Sequence, residues 1–334
     1  MKKAIVTGGA GFIGTWLCQK LKDEGRFVVA IDRKMPEFGF APADEYHVFD
    51  LRNSVDFYDQ LRFQDADEVY QLAAEMGGAQ YVFTGENDAD IMHSSATINL
   101  HVLEACRRWN VPKVFFASSA CVYPSLPTKP YDEARKSYVV PNSACRESDA
   151  SNPDSPYGLE KLFSESLYDA YARNYSMDVK IARMHNVFGE FGTWRGGREK
   201  APAALCRKIA EIPAGGDIEI FGDGQQTRSF LHASEAVEGV FRLMQSDFRG
   251  PVNIGSSEMV SIDRLAFLIG EIAGKLFTIT HVPGPLGVRG RNSDNSLIEA
   301  KLGWKPTMTL REGLERTYPW IAEQVAKALT PATL

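Results

Sequence analysis

Near its amino terminus the chain reads Gly8-Gly9-Ala10-Gly11-Phe12-Ile13-Gly14, with Gly8, Gly11 and Gly14 in the spacing G-x-x-G-x-x-G. A short apolar run, 3–7, precedes the glycines, and a run with helical periodicity, 11–24, follows them. Such a junction needs a tight turn, close backbone approach to a ligand, and a helix N-terminus whose free N–H groups face negative charge. A simple turn is the plainer reading of glycines alone. The strand–turn–helix setting instead predicts a cradle for a dinucleotide diphosphate, built by Gly8, Gly11, Phe12, Ile13 and Gly14.

The rest of the first half repeats the same alternation. Apolar runs at 3–7, 27–32, 45–49, 68–73, 112–118 and 178–185 predict strands, and the patterns at 11–24, 90–109 and 157–174 predict helices. Parallel neighbours need crossover connections, so the expectation is an α/β fold: a Rossmann-like, doubly wound parallel sheet. After Val187 the chain turns to glycine-rich loops and shorter elements. Segments 233–246 and 251–255 read as a return to the sheet. The expected division is therefore 1–185 with 226–255 as an NAD-binding domain, and 186–225 with 256–334 as a smaller interleaved C-terminal substrate lobe. The stretch 124–155, rich in Pro, Ser and charge, reads as a lid or binding loop.

Asp32 closes the second predicted strand, 21 residues after Gly11. A carboxylate there accepts hydrogen bonds from an adenosine ribose and repels a 2′-phosphate, which predicts NAD as cofactor. Arg33 and Lys34 follow directly and are the residues that would tolerate NADP.

Composition narrows the remaining options. A net charge of -6 argues against nucleic acid as a partner. No apolar run approaches the roughly 18 to 20 residues of a membrane span. The apolar start ends within a few residues at Gly8, so it reads as a buried strand and not as a signal peptide. Five scattered cysteines, with no C-x-x-C pair, point to a reducing, cytoplasmic setting with neither a disulfide framework nor a metal site.

Tyr157-Gly158-Leu159-Glu160-Lys161 places Tyr157 and Lys161 one helical turn apart on one face. A phenol with an ordinary pKa of about 10 is a poor base at neutral pH. A neighbouring ammonium would lower it, so Lys161 is expected to make Tyr157 a proton acceptor. Ser118-Ser119 ends a predicted strand. With the dinucleotide cradle upstream, this set resembles the extended short-chain dehydrogenase/reductase superfamily, over essentially residues 1 to 325. The resemblance implies that Tyr157 removes a sugar hydroxyl proton while NAD takes a hydride from the carbon. It also implies that Lys161 holds the nicotinamide ribose, that Ser119 orients the hydroxyl, and that Asp50 and Leu51 flank the adenine.

Further segments narrow the resemblance. They are Glu75-Met76-Gly77-Gly78, Ser118 to Pro124, Met184-His185-Asn186, Phe191 to Pro202, Gly222 to Phe230 and Gly287 to Asn295. Together they are similar to the GDP-mannose 3,5-epimerase family, whose members invert C3 and C5 of the sugar through a 4-ketone. Cys121 stands where superfamily dehydratases carry an Asp-Glu pair, which disfavours dehydration. By resemblance Cys121 and Lys200 form the acid/base pair. A thiol with reference pKa near 8.5 needs only modest depression to act as base, and Lys200 is the cation expected to supply it. The resemblance also assigns Gly78, Ser119, Asn186, Glu199, Lys200, Lys208, Gln226, Arg228, Arg289 and Arg291 to substrate binding, with Glu147 on sugar hydroxyls. His185 and His232 are expected to pack, and Cys145 is left open. A homodimer through the helices near 90–109 and 157–174 is implied likewise. The loop 124–155 and the bulk of Ala79-Gln80-Tyr81 depart from the family near the sugar pocket. The alternatives are an epimerase on another nucleotide sugar or a heptose, and a non-enzymatic NAD-binding sensor.

Overall fold

The computed structural model describes residues 1–40, 42–53, 63–124, 131–132, 137–138, 144–149, 151–285 and 287–329. Its first strands are β1 (Lys3–Thr7), β2 (Phe27–Asp32), β3 (Glu45–Val48), β4 (Glu68–Gln71) and β5 (Lys113–Ser119). After these come β6 (Tyr131–Asp132), β7 (Ser137–Tyr138), β8 (Ala144–Cys145), β9 (Asp178–Met184), β10 (Val187–Phe188), β11 (Asp217–Phe221) and β12 (Thr227–Ser229). The last are β13 (Leu231–His232), β14 (Val252–Ile254), β15 (Met259–Ser261), β16 (Thr278–Val282) and β17 (Gly290–Ser293). The helices are α1 (Phe12–Asp23), α2 (Ala79–Val82), α3 (Asp88–Arg108), α4 (Pro156–Tyr175), α5 (Ala201–Glu211), α6 (Ala233–Gln245), α7 (Ile262–Ala273), α8 (Ser296–Leu302) and α9 (Leu310–Leu329).

Seven strands form one parallel sheet in the order β14-β9-β5-β4-β1-β2-β3. The expected α/β doubly wound fold is present, and the predicted strands and helices end within two residues of the observed ones. Helices cover both faces of the sheet, and its strands β1, β2 and β5 are accordingly apolar at successive positions. Ile5, Val69, Val114 and Phe116 face one core with Ile98, Val102 and Leu103 of α3 and Tyr168 of α4. Ala4, Val6, Tyr70 and Phe115 face the other, with Leu17 and Leu21 of α1 and Val237, Val240 and Leu243 of α6. Strand order reverses between β1 and β4. At such a switch point the loops diverge and leave a crevice beyond the strand ends.

The second lobe holds the parallel pair β11–β16 and the four-stranded sheet β15-β12-β17-β8. Its core packs Leu205 and Ile209 of α5, Leu265 and Ile269 of α7, and Leu314 and Ile321 of α9 around Trp194. Between the lobes α6 packs on the first sheet and β14 extends it, so chain segments alternate between the two. Among the described residues no helix is long and apolar enough to cross a membrane.

Candidate active site

Beyond β1 the glycine cradle forms as the sequence demands. Gly8 adopts φ +74°, a conformation that favours glycine. A Cβ on Gly14 would lie 2.0 Å from the Gly8 carbonyl oxygen, and one on Gly8 would meet the Ala73 backbone nitrogen at 2.9 Å. The bare backbone thus leaves a hollow that side chains would fill. Asp32 closes β2 and accepts the Ala10 N–H at 3.2 Å. Burial pushes this carboxyl up, against the pull of the Ala10, Arg33 and Lys34 backbone amides. Arg33 is held by Glu75 at 3.2 Å and Lys34 by Glu37 at 3.0 Å, so both cations that could welcome a 2′-phosphate are already engaged. Asp50 pairs with Arg52 at 2.6 Å beside buried Leu51, and both residues line the same cavity. These groups fit a dinucleotide with a free ribose.

At the end of β5 the two serines part. Ser118 donates to buried Glu165, whose other partner is Arg183 at 2.8 Å, so its hydroxyl serves the core. Ser119 accepts the Cys121 N–H at 3.2 Å, and its hydroxyl pulls the Tyr157 phenol down against burial. Ser155 caps α4 by accepting the Gly158 N–H at 3.2 Å, and Pro156 starts the helix with its fixed φ. Tyr157 and Lys161 therefore occupy its first two turns, facing the cavity. Gly158 is required for this approach, since a Cβ there would lie 2.1 Å from the Cys121 carbonyl oxygen.

The electrostatics differ from the sequence expectation at both proton-transfer groups. Burial raises the Tyr157 phenol above the ordinary tyrosine range, and the charges of Cys121 and Glu160 raise it further. The Lys161 ammonium lies over the rings of Phe116 and Tyr157, at 5.0 and 5.7 Å from their centroids, and 3.8 Å from Glu160. Burial also raises the Cys121 thiol, aided by Asp154. The cation touching that sulfur is Arg291, at 3.6 Å, and not Lys200 as expected. Lys200, at the N-cap of α5, is lowered by burial, opposed by Cys121, so the two groups are near enough to feel each other.

One cavity of about 770 Å³ gathers these residues. Gly78, Asn186, Glu199, Lys200, Lys208, Gln226, Arg228 and Arg291 all line it. Gly78 sits so close to the Lys200 loop that a Cβ would lie 2.3 Å from the Glu199 carbonyl oxygen. Burial and the charge of Arg291 push Arg228 down to about 10. Arg289 does not line the cavity: its guanidinium forks onto Asp223 at 2.7 and 2.8 Å. Glu147 is also elsewhere, taking the Asn253 N–H at 2.6 Å. Tyr81 turns away from the cavity to donate to Glu75 at 2.9 Å beneath Arg198, so its bulk does not fill the sugar pocket. Cys145 is buried off the cavity, its thiol pushed up to about 11.

His185 is fully buried against Asn253, and His232 caps α6 and meets Glu190 at 2.9 Å. Half of the loop 124–155 lies outside the described residues; its described part includes β8 and Asp154. Asp154 is the site residue that sequence reasoning missed, because its partner Arg291 is 137 positions away. Phe221, beneath Lys208 at 5.7 Å, was missed likewise.

The family model described as NAD dependent epimerase/dehydratase family matches residues 4–255. The chain belongs to this family. It is 45% identical over 331 residues to GDP-mannose 3,5-epimerase of Arabidopsis thaliana, covering 97% of this chain and 83% of that protein. GDP-mannose 3,5-epimerase 1 of Oryza sativa subsp. indica is 44% identical over 334 residues, with 97% and 83% covered. Among solved structures, UDP-glucuronic acid 4-epimerase from Bacillus cereus, in complex with UDP-glucuronic acid and NAD, superposes with a TM-score of 0.80. It is 27% identical, over 96% of this chain and 99% of that one. The chain is thus an NAD-dependent isomerase of the epimerase type, as the cradle, Asp32 and the Tyr157–Lys161 pair imply.

Proposed function

We propose that this chain inverts C3 and C5 of GDP-mannose, giving GDP-L-galactose with GDP-L-gulose as the C5-only product. The chemistry that NAD supplies when bound is reversible hydride exchange with C4 of the sugar. Gly8, Gly11, Phe12, Ile13 and Gly14 would hold its diphosphate, Asp32 its adenosine ribose, Asp50 and Leu51 the adenine edge, and Lys161 the nicotinamide ribose. Tyr157 takes the C4 hydroxyl proton and Ser119 orients that hydroxyl. A ketone at C4 acidifies the hydrogens on C3 and C5, because each carbanion delocalises into the oxygen. Cys121 and Lys200 then remove and return protons.

The observation that carries this reading is the meeting of Cys121, from the first sheet, with Lys200, from the second lobe, on the cavity that holds Tyr157. Burial raises the thiol and lowers the ammonium, bringing their proton affinities together, which suits a pair that must both give and take protons. Gly78, Asn186, Glu199, Lys208, Gln226, Arg228 and Arg291 would bind the rest of the substrate. Arg289 would join them only by leaving Asp223. The test is incubation of the NAD-loaded protein with GDP-mannose and, separately, UDP-glucuronic acid, with products identified by NMR. GDP-L-galactose from the first is expected; conversion of the UDP sugar alone would move the site to another nucleotide sugar.

The division into 1–185 with 226–255 for NAD and 186–225 with 256–334 for the nucleotide sugar follows the same reading. We also propose a homodimer through α3 and α4. Met92 and Leu100 on α3, and Leu159 and Phe163 on α4, leave apolar side chains 36 to 50% exposed on neighbouring helices. Light scattering should give twice the chain mass for the natural protein and one chain mass for Phe163→Glu; a monomeric natural protein would overturn the assignment. A reducing cytoplasmic setting is supported by the five free cysteines.

A further inference from the structure

Three contacts close a ring around the thiol. The Asp154 N–H donates to the Cys121 carbonyl at 3.2 Å. The Asp154 carboxylate holds Arg291 at 2.7 Å, and Arg291 returns to the Cys121 sulfur at 3.6 Å. Asp154 and Arg291 have side chains only 1% and 6% exposed, so the pair acts in a medium that screens it weakly. Arg291 has a further anchor on the Tyr123 carbonyl at 3.4 Å. Its guanidinium is therefore aimed at sulfur by two protein groups, before any phosphate arrives.

We propose that Arg291 and Asp154 are positioning residues that set the acidity of Cys121: Arg291 stabilises the thiolate, and Asp154 both aims that guanidinium and tempers its charge. The proposal rests on the reading of Cys121 as an acid/base group, and it gives Arg291 a role other than gripping diphosphate. The other groups that bear on the sulfur are Ser119 on its own turn, Tyr157 of α4, Lys200 at the start of α5 and Arg228 of β12. Of the cations near the sulfur, Arg291 hydrogen-bonds to it, at 3.6 Å.

The test is the pH dependence of Cys121 alkylation by iodoacetamide in the NAD-loaded protein. The other four cysteines are buried, and Cys121→Ala measures any reaction at them. Arg291→Gln should raise the midpoint by about one pH unit or more, Arg291→Lys should restore part of that shift, and Asp154→Asn should lower the midpoint. Should Arg291→Gln fail to fold, Arg291→Lys, which keeps a charge but loses the fork that reaches both Asp154 and the sulfur, should still raise the midpoint by a smaller step. A midpoint unchanged in Arg291→Gln, or in Arg291→Lys where the glutamine variant does not fold, would overturn the proposal, as would a rise in Asp154→Asn. Absence of solvent exchange into the sugar in the natural protein would instead defeat the reading of the function, and the alkylation midpoints would remain readable without it.

Discussion

At the scale of single residues, Gly158 joins the two halves of the chemistry. It follows Tyr157 in the chain and presses on the carbonyl of Cys121, so one missing Cβ sets the spacing between phenol and thiol. Gly158→Ala should keep the fold at a cost of about 1–3 kcal/mol, the usual range for overpacking, while its kcat falls at least tenfold. Urea denaturation and steady-state kinetics check the two numbers; full activity would show that the close approach does not matter. Tyr157, Lys161, Ser119 and Cys121 were legible in the chain because local spacing and strand ends carry them. The Arg291 contact with Cys121 was not, since residues from β17 and a loop meet by tertiary packing and leave no local pattern. Spacing places Lys161 on the same face as Tyr157 but says nothing about burial, which raises the phenol.

Among the elements, β9 and β14 meet beside the site through His185 and Asn253. Burial holds the His185 imidazole neutral and pulls it down to about 3, with Arg291 and Arg183 adding to the effect against the Asn253 hydrogen bond. The unfolded chain binds this proton near pH 6.5 and the folded one only near 3. The unfolded state therefore holds more protons between those values, and His185 contributes stability above pH 6.5 that is lost as pH falls toward 3. Within that window the loss should approach about 1.4 kcal/mol per pH unit. His185→Asn should flatten the acid limb of a urea-midpoint series by that amount, and an equal slope in both proteins would contradict the burial argument. The parallel sheet was readable because β1, β2 and β5 carry successive apolar residues and alternate with helical segments. The second lobe was harder to read: β12 and β17 are short and polar, β8 is two residues long, and the three pair across distant segments. The same holds for Tyr81, whose bulk pointed to the sugar pocket until Glu75 and Arg198 claimed it.

For the molecule as a whole, the sheet and the second lobe each bring part of the machinery to one cavity. The switch point between β1 and β4 carries the dinucleotide cradle, the end of β5 carries Ser119 and Cys121, and the loop before α5 carries Lys200. Neither lobe alone supplies both Cys121 and Lys200 to that cavity. The central claim is that Cys121 and Lys200 exchange protons with carbons flanking a transient ketone. It is tested most directly by incubating the NAD-loaded protein with GDP-mannose in deuterated water and reading the sugar protons by NMR. Deuterium should enter at both C3 and C5, and Cys121→Ala should abolish that exchange while NAD stays bound. Unchanged sugar protons in the natural protein, or full exchange in Cys121→Ala, would contradict the account.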